Sequence, residues 1–237
     1  MLKKLARFIL DRTVVKSIKY VKRQTADYNE DLIDVYKILW DRAALTSADY
    51  IEKYLPTTLL FHDRELLWDH ALVHADADGL FMEFGVWSGY SINAFAARLP
   101  GKMIYGFDSF EGLKEDYPGT GFRRGSFGLS GMMPKVLSNV TLVKGWFDET
   151  VPKFLLQHGE PISFLHLDAD TYETTAILLN LLKKRLQSGT IIIFDEYHGF
   201  PNWTNGEFKA WQEFITKNNL SYRYLGFAAR QSSIQIL

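Results

Sequence analysis

"LFMEFGVWSGYSINAFAARL", residues 80–99, is the stretch on which the fold turns. It opens as a short apolar run carrying one acid, Glu83; Gly85 and Gly89 then bracket a tight turn, and beyond it apolar residues recur at helical spacing. Strand, glycine turn and helix in that order make the start of a β–α unit. The two glycines let backbone approach a ligand closely, and the new helix offers unpaired N–H groups. The turn has neither the Gly-Lys-Ser/Thr of a phosphate loop nor the G-x-G-x-x-G of dinucleotide binding.

The pattern repeats downstream. "KMIYGFD" (102–108), "VTLVKG" (140–145), "ISFLHLD" (162–168) and "GTIIIFDEY" (189–197) are short, apolar and closed by glycine or an acid, as buried strands are. Between strands, "TTAILLNLLKKRLQ" has helical spacing. Strands and helices in alternation predict right-handed crossovers and a mostly parallel, Rossmann-like α/β sheet with helices on both faces, here over residues 79–237. Upstream, residues 28–78 carry helical periodicity broken at Pro56, so residues 1–78 are predicted to form a helical extension or lid. At its start, "MLKKLARFILDRTVVKSIKYVKR" sets eight basic residues against the single acid Asp11, the pattern of a basic amphipathic helix. Contact with a second subunit, and so a homo-oligomer, is the favoured use of residues 1–23; peripheral contact with an anionic membrane is the alternative.

Composition narrows the function classes. With 237 residues, 47% of them hydrophobic and 15% aromatic, the chain can bury a full core. A net charge of −1 gives no reason to expect nucleic acid as a partner. The absence of cysteine rules out disulfides and thiolate metal sites and fits a cytoplasmic protein. No apolar run approaches the roughly 20 residues of a membrane span.

In open α/β sheets ligands bind beyond the carboxyl ends of the strands, and that is where this chain keeps its acids. Glu83 in the last turn of a strand suits a ligand with ammonium character and would repel a pyrophosphate. Asp108, about 20 residues past the glycine turn, stands where an acid receives ribose hydroxyls. An adenosine with a cationic amino-acid tail and no phosphate satisfies both, and S-adenosylmethionine is such a molecule.

Five ordered motifs add a family resemblance: E-x-G-x-x-x-G at 83–89, "GFDSFEGL" at 106–113, "KGWFDETVP" at 144–152, "LHLDADTYETT" at 165–175 and "IIIFDEYHGFPNW" at 191–203. Together they resemble the class I methyltransferases related to macrocin O-methyltransferase, sugar O-methyltransferases of antibiotic pathways. The resemblance implies that Glu83, Gly85 and Gly89 hold the methionine end, Asp108 with Ser109 beside it the ribose, and Gly145, Trp146 and Phe147 the adenine. Trp87 stands where many class I enzymes have a second glycine.

Asp168 closes one strand while Asp195 and Glu196 close the next, so neighbouring strand ends gather three carboxylates. A hard divalent cation, Mg2+ or another, offsets that charge, and the resemblance implies the same ligands. It also implies Asp170 as general base; the alternative is that Asp170 caps the helix beginning near Thr171. His198 is a second candidate for base or donor, whereas His166, alternating with leucines, reads as a core histidine. "YPGTGFRRGSFGLSGMM" (117–133) is predicted to cover the substrate, with Arg123 and Arg124 either on an anionic group or in water.

The expected activity is metal-dependent transfer of a methyl group from S-adenosylmethionine to a hydroxyl, that of a sugar in a glycosylated small molecule or glycan. The residues are also compatible with two alternatives. Asp168-Ala-Asp170 has the D-x-D form of nucleotide-sugar glycosyltransferases, and a cofactor-binding fold can serve as a scaffold without catalysis.

Overall fold

The computed structural model describes residues 34–76 and 78–237. The basic helix expected over residues 1–23 therefore lies outside the described residues. In chain order these form α1 (Val35–Glu52), β1 (Leu59–Phe61), α2 (Arg64–Leu72), β2 (Leu80–Phe84), α3 (Tyr90–Arg98), β3 (Ile104–Asp108), β4 (Val140–Lys144), α4 (Phe147–Gln157), β5 (Ile162–Leu167), α5 (Tyr172–Leu182), β6 (Ile191–Phe194), a 3-10 turn at Trp203–Asn205, α6 (Glu207–Asn218), β7 (Tyr222–Ala228) and β8 (Gln231–Ile236).

The eight strands form one sheet in the order β1-β7-β8-β6-β5-β2-β3-β4. β8 runs antiparallel to β6 and β7, and the other pairs are parallel. The expected mostly parallel Rossmann-like sheet is thus present. From β2 the chain winds outward through β3 to β4, then returns to place β5 on the other side of β2. That reversal opens a crevice at the carboxyl ends of β2 and β5, the place where such sheets bind ligands.

Helices cover both faces because the buried strands alternate. β2 sends Leu80, Met82 and Phe84 into a core shared with Val151 and Phe154 of α4, Leu178 and Leu182 of α5 and Trp211 of α6. Phe81 goes to the opposite core with Trp68 and Ala71 of α2 and Ile92 and Phe95 of α3. All five β2 residues are buried, so the strand shows no polar face in the sequence.

Three strands were not expected. β1 is a three-residue edge strand inside the stretch with helical periodicity, paired with β7. β7 and β8 form an antiparallel pair, and β8 buries Gln231, Ser232 and Ser233, a polar run that imitates a loop. The chain divides into two compact units, Met1–Asp41 and Arg42–Leu237. β1 pairs with β7, so it belongs to the sheet, and α2 contributes Trp68 and Ala71 to the core on one face of it. Among the described residues no helix is long and apolar enough to cross a membrane.

Candidate active site

A cavity of about 340 Å³ lies at the carboxyl ends of the strands. The sheet order sets its lining in sequence: Trp146 and Phe147 after β4, Asp108 and Ser109 at β3, Gly85 after β2, Asp168 and Asp170 after β5, Asp195 and Glu196 after β6. Its aromatic end and its acidic end are therefore several strand spacings of about 4.8 Å apart.

Gly85 is a backbone requirement. Its φ is +92°, and a Cβ there would sit 1.9 Å from the carbonyl oxygen of Asp168. β2 thus turns directly over the end of β5. Asp108 shapes the same turn: Oδ2 accepts the N–H groups of Val86 (2.9 Å) and Trp87 (2.8 Å), and Oδ1 that of Phe110 (2.7 Å). Trp87, with φ +43°, is held at a positive angle by this carboxylate, which accounts for a tryptophan where a glycine is common. Asp108 still lines the cavity, so a carboxylate lone pair remains for a ligand hydroxyl. Gly145 and Gly89 do not line the cavity, whereas Trp146, Phe147 and Ser109 do. Gly145 holds the turn after β4 by donating its N–H to Asp108 O (2.9 Å), and Gly89 is the left-handed N-cap of α3.

Glu83 is placed differently from the expectation. It has the parity of Phe81, is fully buried and does not line the cavity. Ser91 Oγ donates to Glu83 Oε1 (3.0 Å), and Glu83 Oε2 lies 3.2 Å from Nδ1 of His166, its register partner on β5. The other ring nitrogen, Nε2, lies 3.5 Å from Asp195 Oδ1, an ion-pair contact without hydrogen-bond geometry. Burial works against the charged ring, but the flanking carboxylates of Asp195 and Glu83 hold the His166 pKa up at about 9. His166 is thus more than a core histidine: its ring bridges Glu83 and Asp195 behind the acidic end. Asp195, although burial alone would raise its pKa, is pulled below the usual range by His166.

His198 is buried, with Nε2 3.3 Å from Gln231 O and its ring edge on Phe227. Burial pushes its pKa down to about 4, and it does not line the cavity. The structure thus gives His198 no access to a substrate there, contrary to its candidacy as base.

Asp168, Asp195 and Glu196 converge as expected: one carboxylate oxygen from each lies within 4.8 Å of the others. Burial and the neighbouring Asp195 and Glu196 charges push the Asp168 pKa well up, and Glu196 is raised by burial and by Asp195 and Asp170. Glu196 Oε2 is buried with no hydrogen-bond partner. A hard-oxygen donor set with an orphaned acceptor and unbalanced charge fits a divalent cation, which would take the place of the retained protons.

Asp170 sits at φ +60°, and Thr171 N–H bonds back to Ala169 O at 2.6 Å. That is a γ-turn of the rare positive-φ kind, a strained conformation of the sort found at functional sites. The cap of α5 is Thr171, whose side chain accepts from Thr174 N. Asp170 is therefore not the helix cap, and its side chain remains available to the cavity. Burial, with the Asp195 and Asp108 charges, pushes its pKa up to about 7.

Glu207, at the start of α6, was not visible in the sequence as a site residue. Fully buried, it accepts Glu196 N–H on Oε2 (3.0 Å) and Ala169 N–H on Oε1 (3.4 Å), clamping the two acid-bearing loops together. Glu207→Gln keeps the size but turns an NH2 donor toward one of those N–H groups. A loss of about 1–3 kcal/mol in unfolding free energy is expected, read from denaturant midpoints. A midpoint equal to wild type would remove the clamp.

The segment expected as a lid is tied down by its own backbone, through Leu113 N to Ser126 O (3.0 Å), Gly125 N to Leu113 O (2.9 Å) and Leu129 N to Phe110 O (2.9 Å). It contributes Phe127 to the cavity; Arg123 and Arg124 are exposed and do not line it.

Residues 82–197 match the family model described as a methyltransferase domain. That stretch, from β2 past the end of β6, is similar to a methyltransferase domain. A solved structure of the calicheamicin methyltransferase CalS11 is 26% identical, covers 73% of this chain and 78% of its own, and has a TM-score of 0.61. An apo structure of CalS11, described as a TDP-rhamnose 3'-O-methyltransferase, gives 27% identity over the same shares and a TM-score of 0.54. The O-methyltransferase NovP, at 19% identity over 72% of this chain and 79% of its own, shares the fold with a TM-score of 0.53. No curated protein matches the chain. With these neighbours, the domain places the protein among the S-adenosylmethionine-dependent O-methyltransferases.

Proposed function

We propose that this methyltransferase domain transfers the methyl group of S-adenosylmethionine to a sugar hydroxyl, with a divalent cation at Asp168, Asp195 and Glu196 and Asp170 as general base. The observation that carries the reading is the convergence of the three carboxylates beside Asp170 in one cavity with the glycine turn of β2. The similarity to CalS11, described as acting on TDP-rhamnose, supports a sugar hydroxyl as acceptor. The match to a methyltransferase domain displaces the glycosyltransferase reading of Asp168-Ala-Asp170.

In this arrangement Trp146 and Phe147 offer the adenine an aromatic face and Asp108 receives a ribose hydroxyl while holding the β2 turn. The cosubstrate's sulfonium then lies toward the acidic end, where negative side chains favour a cation. When bound, a divalent cation supplies charge neutralisation and Lewis acidity toward the acceptor hydroxyl. Asp170, two positions beyond the ligand Asp168 and held in its strained turn, takes the hydroxyl proton as the oxygen bonds to the methyl carbon and the methyl–sulfur bond breaks, its electron pair leaving on the sulfur of S-adenosylhomocysteine. His166, held on its other side by Glu83, keeps Asp195 ionised and oriented from behind, as outer partners of ligating groups do.

The test is calorimetric titration of Mg2+ and Mn2+ into wild type, Asp168→Ala and Asp195→Ala, with S-adenosylhomocysteine titrated in parallel. Cation binding is expected to vanish in both variants, with cofactor affinity within a few-fold of wild type. Full turnover of wild type in EDTA would sink the metal-assisted mechanism.

A further inference from the structure

The methionine end of S-adenosylmethionine carries a carboxylate, and a cavity rich in acids must still receive that negative charge. Among the residues lining the cavity, two side chains are positive, Lys114 and Arg64. Lys114 is already paired: Nζ lies 3.0 and 3.1 Å from the two Asp148 oxygens and 4.9 Å from the centroid of Trp146, at the aromatic end. Arg64 makes no salt bridge among the described residues. Its guanidinium stands 5.1 Å from the ring centroid of Tyr90 and 5.3 Å from that of Trp68, and its charge helps to hold Asp195 ionised.

Placement follows from the helices that carry these groups. Arg64 opens α2, and Tyr90 opens α3 directly after the β2 turn. The rings of Tyr90 and Trp68 hold the guanidinium by its surroundings, while its N–H donors are left for an anion. The N-terminus of α3, lined by Ser88, Tyr90 and Ser91 at the same end of the cavity, favours negative charge as well. With adenine at Trp146 and ribose at Asp108, an extended cosubstrate reaches this end with its amino-acid tail.

We propose that Arg64 is the group that binds the α-carboxylate of S-adenosylmethionine at the methionine end of the cavity. This rests on the adenosine placement of the proposed function. An anionic group on the acceptor, such as a phosphate, is the other source of the same chemistry.

Wild type, Arg64→Gln and Arg64→Lys are titrated, without acceptor, with S-adenosylmethionine and with its decarboxylated form, which keeps the ammonium and sulfonium and lacks the carboxylate. Arg64→Gln is expected to weaken S-adenosylmethionine by about 10-fold or more, the scale of a hydrogen bond to a charged group, and to leave the decarboxylated ligand unchanged. Arg64→Lys is expected to recover part of the loss. Undiminished S-adenosylmethionine affinity in Arg64→Gln, or an equal fall for both ligands, overturns the proposal while leaving the enzyme's reaction standing. Inorganic phosphate titrated in parallel separates the two sources: phosphate binding lost in Arg64→Gln while S-adenosylmethionine affinity holds overturns the proposal in favour of the acceptor's anion. Failure of wild type to bind S-adenosylmethionine would instead remove the cosubstrate reading itself.

Discussion

Replacing Asp170 with Asn is expected to lower turnover by about 100-fold or more, the usual scale of a general base, with S-adenosylmethionine affinity and melting temperature close to wild type. The substitution is unusually clean for structural reasons. Asp170 occupies a positive φ of +60°, and Asn tolerates that region about as well as Asp, so the γ-turn is retained. Thr171 caps α5, so the helix keeps its terminal hydrogen bond. What the amide loses is the capacity to take a proton. Ala at the same position would add backbone strain and confuse the two effects. His198→Gln is the contrast: its ring lies off the cavity, so turnover near wild type is expected. Near-wild-type turnover in Asp170→Asn across a pH series would transfer the proton to another group.

The two carboxylate loops were legible because their chemistry is local. Each acid ends an apolar run, and parallel strands buried on both faces announce themselves as such runs, as Ile191–Phe194 does. Legibility failed where the informative partner lies far away in sequence. Glu83 looks ligand-facing as an acid near a strand end, yet its parity with Phe81 sends it toward α2 and α3, and its partner His166 is 83 positions away. Only the strand order that sets β5 beside β2 makes them neighbours. The same holds for Glu207, which in sequence is an ordinary first-turn acid of a helix. β8 was missed for the opposite reason: Gln231, Ser232 and Ser233 are buried at the sheet's centre, where Gln231 carries a hydrogen bond from Trp68 Nε1 (2.7 Å) and donates to Asp195. A polar strand of this kind serves the site's electrostatics and leaves no apolar run to read. Asp170 and Thr171 are both cap-forming residues in adjacent positions, so sequence alone could not separate cap from base.

Gly85→Ala is expected to have the largest effect on the fold and, through it, on the site. Two costs add. The residue's φ of +92° is strained for any L side chain, and the new Cβ would overlap the Asp168 carbonyl oxygen, 1.9 Å away. Neither strand can yield: Gly85 N–H is held by Phe107 O at 3.0 Å and Asp168 N–H by Phe84 O at 2.9 Å, so the clash falls on the ladder itself. Strain of about 1–3 kcal/mol and overpacking of about 1–3 kcal/mol predict a loss of several kcal/mol in unfolding free energy. The displaced backbone is that of a proposed cation ligand, so Mg2+ affinity should fall together with stability. Gly89→Ala separates the two costs. Its φ is +83°, but the nearest atoms to a Cβ, on Asn93 and Pro134, are 3.4 Å away and belong to side chains. Strain alone then applies, and the loss should be the smaller of the two, with Mg2+ affinity unchanged. Denaturant unfolding and Mg2+ titration of both variants check this, and a Gly85→Ala protein as stable as Gly89→Ala would show that β2 and β5 can part at their ends without cost.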